Sequence, residues 1–350
     1  MRSIKFLYPR VVIPVTGGHR YEKSLRDTLA RSGFTVETLS TYNTTGRLPK
    51  IKKLLAPLLS LKFLKTLDKQ NDIVVLNSTT GLYYILLSFI LKLKRIPTVI
   101  IHHHYLYKEF KGFKQKVYHC VENLFLKSAA NILTPSPYIK DLINQEINRD
   151  SLLLPIPFER LVIGQERSVE KGRLLYIGTI EPRKGLDLLI TALNLTEKPQ
   201  DYELHIVGKT RMPEYKKYID SLINDYQLNV IFHGFLSDED LNELIQTSDV
   251  FVFPSLLEGF GMAINEVKFY GLPVICFNNS AMPYSTTDGY DGFLVKNKDI
   301  EGFAKAIDKL VQDRTTRASM SHNAIVKANA LYSFENFNND SVSLFSNIGK

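Results

Sequence analysis

Short apolar runs rich in β-branched residues alternate with longer amphipathic stretches along nearly the whole chain, and this alternation limits the fold more than any other feature. It predicts strands at residues 11–15, 35–39, 73–76, 98–102 and 131–134, and then at 173–177, 203–207, 230–233, 250–253, 273–277 and 292–295. Helical patterns such as 184–193 and 238–247 lie between them. Strand, crossover helix and next strand build a parallel sheet covered by helices. Two such series meet near residues 154–170, where Pro155 and Pro157 precede a charged run, so the chain reads as two doubly wound α/β domains. Its 350 residues suffice for two cores of ordinary size. Open parallel sheets bind ligands beyond the carboxyl ends of their strands, which directs attention to the loops after these runs.

The composition, 44% hydrophobic and 23% charged, is that of a globular protein. The most apolar run, residues 82–91, is too short to span a bilayer. The N-terminus lacks an apolar segment followed by a small-residue cleavage site, so no signal peptide is expected. Cys120 and Cys276 lie far apart without metal-ligand spacing, and read as buried small apolar residues in a reducing compartment. The net charge of +8 is unevenly divided: residues 1–170 hold 26 Lys+Arg against 13 Asp+Glu, and residues 171–350 hold 18 against 23. A basic first half could face nucleic acid, an anionic membrane or a phosphate-bearing acceptor. No nucleic-acid recognition motif accompanies it, and the acidic second half would repel a phosphate backbone.

Four loops carry candidate chemistry. After the run at 250–253 comes Leu256-Leu257-Glu258-Gly259-Phe260-Gly261-Met262-Ala263-Ile264-Asn265-Glu266, a glycine-rich turn entering a helix. Backbone N–H groups at such a helix start can hold a diphosphate, with Glu258 beside the sugar and Glu266 two turns along accepting ribose hydroxyls; a surface turn with a solvated glutamate fits the same residues. After 173–177 comes Gly178-Thr179-Ile180-Glu181-Pro182-Arg183-Lys184-Gly185. Two cations at a helix N-terminus oppose the macrodipole and call for an anion, for which a diphosphate is suited, although a solvated basic loop remains open. Gly17-Gly18 after the first run allows close approach of backbone to a ligand, or is a plain turn. Of His102-His103-His104, alternating side chains make poor joint metal ligands, and one histidine facing a ligand as a polar contact is the functional alternative to core or surface histidines.

Two further matches fail. Gly208-Lys209-Thr210 imitates the end of a phosphate-binding P-loop, but Glu203 occupies the position of its first glycine. Asp238-Glu239-Asp240 follows Ser237 at a helix start, where capping and helix-end charge account for it.

The paired glutamates, the Glu-Pro-Arg-Lys-Gly loop, the strand end from His205 to Gly208 and the run His233-Gly234-Phe235 stand in the order and spacing of glycosyltransferase family 4, the retaining GT-B group 1 glycosyltransferases. The chain resembles this family over nearly its whole length, most densely across residues 174–295. The resemblance implies a GT-B fold of two Rossmann-like domains facing an interdomain cleft. Residues 1–165 would bind the acceptor, 166–330 the nucleotide-sugar, and 331–350 would form a helix crossing back to the first domain. It implies that Arg183 and Lys184 hold the diphosphate, Glu258 the donor sugar and Glu266 the ribose. Gly259, Phe260, Gly261 and Met262 would line the donor, and Phe235 would lie near the base. Gly17 fits the family's glycine turn and His103 its active-site histidine. Thr179 stands where many members have Arg, and Pro155-Ile156-Pro157-Phe158 replaces the commoner Pro-Asn-Gly segment.

The resemblance further implies front-face displacement, in which the acceptor hydroxyl attacks on the side from which the nucleotide leaves, without a metal or other cofactor. The expected reaction moves a hexose from a UDP- or GDP-sugar to a saccharide acceptor, lipid-linked, in cell-surface polysaccharide or glycolipid synthesis. Residues 49–69, with six lysines among Leu and Phe, read as a basic amphipathic segment suited to an anionic membrane, or as a surface helix with a core-facing stripe. The expected location is cytoplasmic, peripheral on the inner face of the membrane. A non-catalytic GT-B-like protein binding sugar-nucleotide or polysaccharide is the alternative.

Overall fold

A computed structural model of the chain describes residues 2–8, 17–40, 56–159 and 169–349. The chain divides into two compact units, Met1–Pro157 with Tyr332–Lys350, and Phe158–Leu331. The first division falls ahead of the 165/166 boundary expected from the sequence.

The first unit contains β1 (Ser3–Tyr8), α1 (Gly17–Arg31), β2 (Thr35–Ser40), β3 (Asp72–Asn77), α2 (Gly81–Leu93), β4 (Thr98–Ile101), α3 (Gly112–Ser128), β5 (Asn131–Thr134), α4 (Pro137–Ile147) and β6 (Leu152–Leu153). The sheet order is β2-β1-β3-β4-β5-β6, and its pairings are parallel. The direction of winding reverses between β1 and β3, so a crevice for a ligand opens at their carboxyl ends. Leu7, Val74, Leu76 and Ile100 pack with Leu87 and Leu91 of α2 and Phe125 and Leu126 of α3 in the core. The C-terminal helix Phe334–Asn347 is capped by the Ser333 hydroxyl and belongs to this unit. Phe337 meets Tyr21 of α1 edge-on at 5.7 Å, and the Thr28 hydroxyl donates to Asn338 Oδ1 at 2.6 Å.

The first strand differs from the sequence expectation, since residues 11–15 lie outside the described residues and β1 is Ser3–Tyr8. Its central Lys5 breaks the apolar pattern, yet it is buried, paired with Asp72 at 3.0 Å and donating to the Thr66 carbonyl at 2.7 Å. Of the basic segment 49–69, residues 49–55 lie outside the described residues. The rest is a single helical turn, Ala56–Leu59, and a 3₁₀ turn, Ser60–Lys65, with Phe63 buried, rather than one amphipathic helix. Cys120 is exposed on α3, contrary to expectation, while Cys276 is buried.

The second unit contains β7 (Arg173–Ile177), α5 (Leu186–Asn194), β8 (Glu203–Val207), α6 (Pro213–Tyr226), β9 (Asn229–Gly234), α7 (Asp238–Thr247), β10 (Val250–Phe253), α8 (Met262–Lys268), β11 (Val274–Asn278), β12 (Gly292–Lys296), α9 (Ile300–Gln312) and α10 (Arg314–Asn329). Its parallel sheet runs β12-β11-β10-β7-β8-β9, and winding reverses between β7 and β10. The four-residue runs of β10 are wholly buried, as a strand covered on both faces requires. At α7, Ser237 Oγ accepts from the Asp240 N–H at 3.1 Å, which accounts for the acidic triplet as a helix start.

Candidate active site

Each sheet gathers chemically active side chains at its own switch point. In the second unit the loops after β7 and β10 are laced together. Arg183 O accepts from the Leu256 N–H at 2.8 Å, and Arg183 Nη1 donates to the Leu257 carbonyl at 3.1 Å. Gly185 makes this approach possible, because its φ is +69° and a Cβ there would collide with the Pro254 carbonyl.

Within this frame Lys184 Nζ forms an ion pair with Glu258 Oε1, and Arg183 Nη1 lies 3.9 Å from the same oxygen. Ser255 Oγ donates to Glu258 at 2.8 Å, and the Glu258 N–H donates to Ser280 Oγ at 3.0 Å. Burial pushes the Glu258 carboxyl up, but the charges of Lys184 and Arg183 and the hydrogen bonds of Lys184 and Ser255 outweigh it and hold the group below its ordinary range. Arg183 Nη2 also pairs with Glu181 at 2.9 Å, and Thr179 Oγ1 donates to Glu181 at 2.7 Å. The two cations are thus paired with carboxylates of the protein, partners that the sequence reading, with its diphosphate or solvated basic loop, did not include. Arg183 and Lys184 sit in a 3₁₀ turn, Pro182–Lys184, immediately before α5.

Gly261, at φ +81°, turns the chain into α8. The backbone N–H groups of Gly259, Phe260, Gly261 and Met262 have no hydrogen-bond partner among the described residues. Glu266 is exposed on α8. Phe235 is 73% exposed at the end of β9, two strands away from the switch point, with Lys209 Nζ 5.1 Å from its ring centroid. His205 stacks on His233 and pairs with Glu203 at 2.5 Å on the outer strands of the same sheet.

In the first unit the three histidines diverge after β4. His102 is fully buried with Nδ1 2.7 Å from Ser78 Oγ, and His104 lies 3.7 Å from Glu109. His103 Nε2 lies 3.0 Å from Glu22 Oε1. Gly17 opens α1, but the glycine against His103 is Gly18, where a Cβ would stand 3.4 Å from the imidazole. Glu22 also accepts from the Tyr8 hydroxyl at 2.5 Å and from Asn77 Nδ2. Burial pushes its carboxyl up, yet the hydrogen bond and charge of His103 and the bonds from Tyr8 and Asn77 hold it below its ordinary range. Sequence reasoning missed Glu22, Asn77, Ser255 and Ser280. For Glu22 a signal existed: it shares the buried stripe of α1 with Leu25 and Leu29 at helical spacing, where an acid is out of place unless partnered. Among the described residues no group of three or more His, Cys, Asp or Glu is arranged to hold a metal ion.

Two six-stranded parallel sheets with charged loops at their switch points define a GT-B protein, and solved structures agree. The Anabaena protein HepE, solved in complex with UDP-glucose, matches with a TM-score of 0.78 over 99% of this chain and 100% of that one, at 19% identity. Residues 161–327 match the family model described as glycosyl transferases group 1. Among curated proteins the chain is 26% identical over 231 residues to the capsular polysaccharide biosynthesis glycosyltransferase CapM of Staphylococcus aureus, covering 61% of this chain and 60% of that protein. It is 29% identical over 185 residues to the O-antigen chain mannosyltransferase B of Escherichia coli, covering 50% and 46%. The chain therefore spans less than two thirds of either relative.

Proposed function

We propose that the protein is a retaining hexosyltransferase that moves a sugar from a UDP- or GDP-sugar to a lipid-linked saccharide acceptor in cell-surface polysaccharide synthesis. The observation that carries this reading is the arrangement of Arg183, Lys184 and Glu258 across the two loops of the second switch point. A donor diphosphate entering there competes with Glu181 and Glu258 for the two cations. Glu258, so released, accepts hydroxyls of the sugar, and Glu266 those of the ribose. Arg183 and Lys184 then stabilise the charge that develops on the departing diphosphate, and the leaving phosphate oxygen takes the proton of the acceptor hydroxyl. Because both cations come from the chain itself, turnover is expected to persist in a chelator. The relatives named for capsule and O-antigen synthesis and the neighbour solved with UDP-glucose support the substrate class.

An acceptor held at a membrane is supported by the outer face of α2 and α3, which is apolar where it meets solvent. Leu93 and Phe113 are each 83% exposed, and Val117, Cys120 and Leu124 continue the stripe of Phe113 at helical spacing. The two helices are tied by a hydrogen bond from Ser128 Oγ to Ser88 Oγ at 2.7 Å. Lys92, Lys114, Lys116 and Lys127 surround the stripe, and the one acid on either helix, Glu122, is buried. Apolar side chains ringed by lysines complement an anionic lipid surface at the inner face of the cell membrane. Among the described residues no helix is long and apolar enough to cross a membrane.

The test of the donor site is a thermal-shift panel of nucleoside diphosphates and their sugars without metal, on wild type and Glu266→Ala. One base should raise the melting temperature selectively, and the substitution should weaken the rise. No shift from any nucleotide would overturn the donor reading. Binding without turnover on any acceptor would favour a non-catalytic sugar-nucleotide-binding protein.

A further inference from the structure

We infer that Glu22 is the positioning residue of His103, holding its imidazole with the proton on Nε2 so that Nδ1 is presented as a hydrogen-bond acceptor to a hydroxyl of the bound sugar. This rests on the proposed function for the sugar, and on the structure alone for the proton.

A buried carboxylate is costly unless donors surround it. Glu22 receives donors from the ends of three strands: the Tyr8 hydroxyl closing β1, Asn77 Nδ2 closing β3, and His103 Nε2 beyond β4. Each donor is itself oriented. Asn77 Oδ1 accepts from the Thr79 N–H at 2.8 Å and the Thr79 hydroxyl at 2.6 Å, which turns its amide nitrogen toward Glu22. Tyr8 Oη accepts from Arg26 Nη1 at 2.5 Å, leaving its own proton for Glu22. An ionised carboxylate only accepts, so the histidine nitrogen facing it carries hydrogen.

The ring has little freedom to turn. Gly18 lies against its Cδ2–Nε2 edge, and Tyr21 meets it edge-on at 5.6 Å and 89°. Nδ1 has no hydrogen-bond partner among the described residues. The cluster stands at the carboxyl ends of β1, β3 and β4, where a doubly wound sheet takes its ligand. His102, fully buried against Ser78, does not compete for this role.

Glu22 Oε1 accepts from both His103 Nε2 and Asn77 Nδ2, so a glutamine could keep its carbonyl there; Glu22→Ala is the variant that takes the acceptor away and leaves the imidazole unheld. Nitrogen-15 imidazole spectra of the full chain, recorded above the ordinary titration range of histidine, at about pH 8, and assigned with His103→Gln, read this directly. Wild type should show the Nε2–H form and Glu22→Ala shifts averaged over the two tautomers. With UDP-glucose as the probe, UDP release by Glu22→Ala should fall roughly tenfold to a hundredfold in kcat, the scale of one misdirected buried hydrogen bond. The loss should vanish in a His103→Ala background, and Glu22→Asp should restore part of the rate. A wild-type Nδ1–H spectrum overturns the inference without any variant having to fold. So does a Glu22→Ala loss that adds in full to that of His103→Ala. If wild type releases no UDP, the donor assignment fails, while the spectra still decide what Glu22 does.

Discussion

The ammonium of Lys184 and the carboxylate of Glu258 form an ion pair that joins the loop after β7 to the loop after β10, with the Ser255 hydroxyl as a further donor to the same carboxylate oxygen. The pair is largely shielded from water, the two side chains being 12% and 14% exposed. Lys184→Met should therefore lower kcat for donor turnover by on the order of 10²–10³, as expected for losing one preorganised contact to a developing charge. Steady-state release of the nucleotide is the measurement. An unchanged kcat would remove Lys184 from the reaction.

Acid should expose the same cluster. The folded-state pKa of Glu258 is depressed, because Lys184 and Arg183 outweigh its burial. A depressed carboxylate stabilises the fold above its unfolded pKa, and this contribution is lost as pH falls through the folded value. The loss therefore occurs below the ordinary value of 4.5. Urea melts at falling pH should show a shallower loss for Glu258→Gln than for wild type. Equal slopes would mean that the carboxylate gains nothing from its cations.

Gly185→Ala should destabilise the second unit by roughly 1–3 kcal/mol, since a left-handed backbone and the Pro254 carbonyl both oppose a Cβ. Chemical denaturation measures the loss, and weakened nucleotide binding should accompany it because the two loops can no longer close together.

Lys268, on α8, is a buried cation paired with Asp291 at 2.5 Å, and burial draws its pKa down to about 8. Lys327, 3.4 Å away, is the second cation beside Asp291. Lys268→Met should cost roughly 3–5 kcal/mol by leaving a buried carboxylate short of its closest partner. Lys268→Met combined with Asp291→Leu should cost clearly less, and a double variant as unstable as the single one would count against the pair.

On the lysine-ringed face of α2 and α3, each cation near an anionic lipid surface contributes about 1 kcal/mol. Lys114→Ala with Lys116→Ala should weaken binding to phosphatidylglycerol vesicles roughly thirtyfold at low salt. Vesicle co-sedimentation that ignores both the substitutions and the salt would sink the membrane reading.

Much of the architecture is legible in the sequence because buried parallel strands read as apolar runs. The runs at 131–134, 173–177, 203–207 and 250–253 coincide with β5, β7, β8 and β10. The first strand escaped because Lys5 interrupts SIKFLY, and its partner Asp72 is supplied by a distant strand. Arg183, Lys184 and Glu258 could be singled out because each stands in a short motif after a strand. Glu22 could not be joined to His103, 81 positions away, because nothing in a linear pattern tells which loops a doubly wound sheet will bring together. Cys120 was misjudged for a related reason: α3 turns an apolar stripe outward, so apolar character did not mean burial.

The helix Phe334–Asn347 lies against α1, so the first unit is finished by residues made after the whole of the second unit. On the ribosome the second unit, one continuous stretch, can close as soon as its own residues emerge. Residues 1–157 must wait with the flank of Tyr21 and Thr28 uncovered until Phe337 and Asn338 arrive. For these two units synthesis order and folding order are therefore opposed: residues 1–157 leave the ribosome before the second unit and complete their surroundings after it.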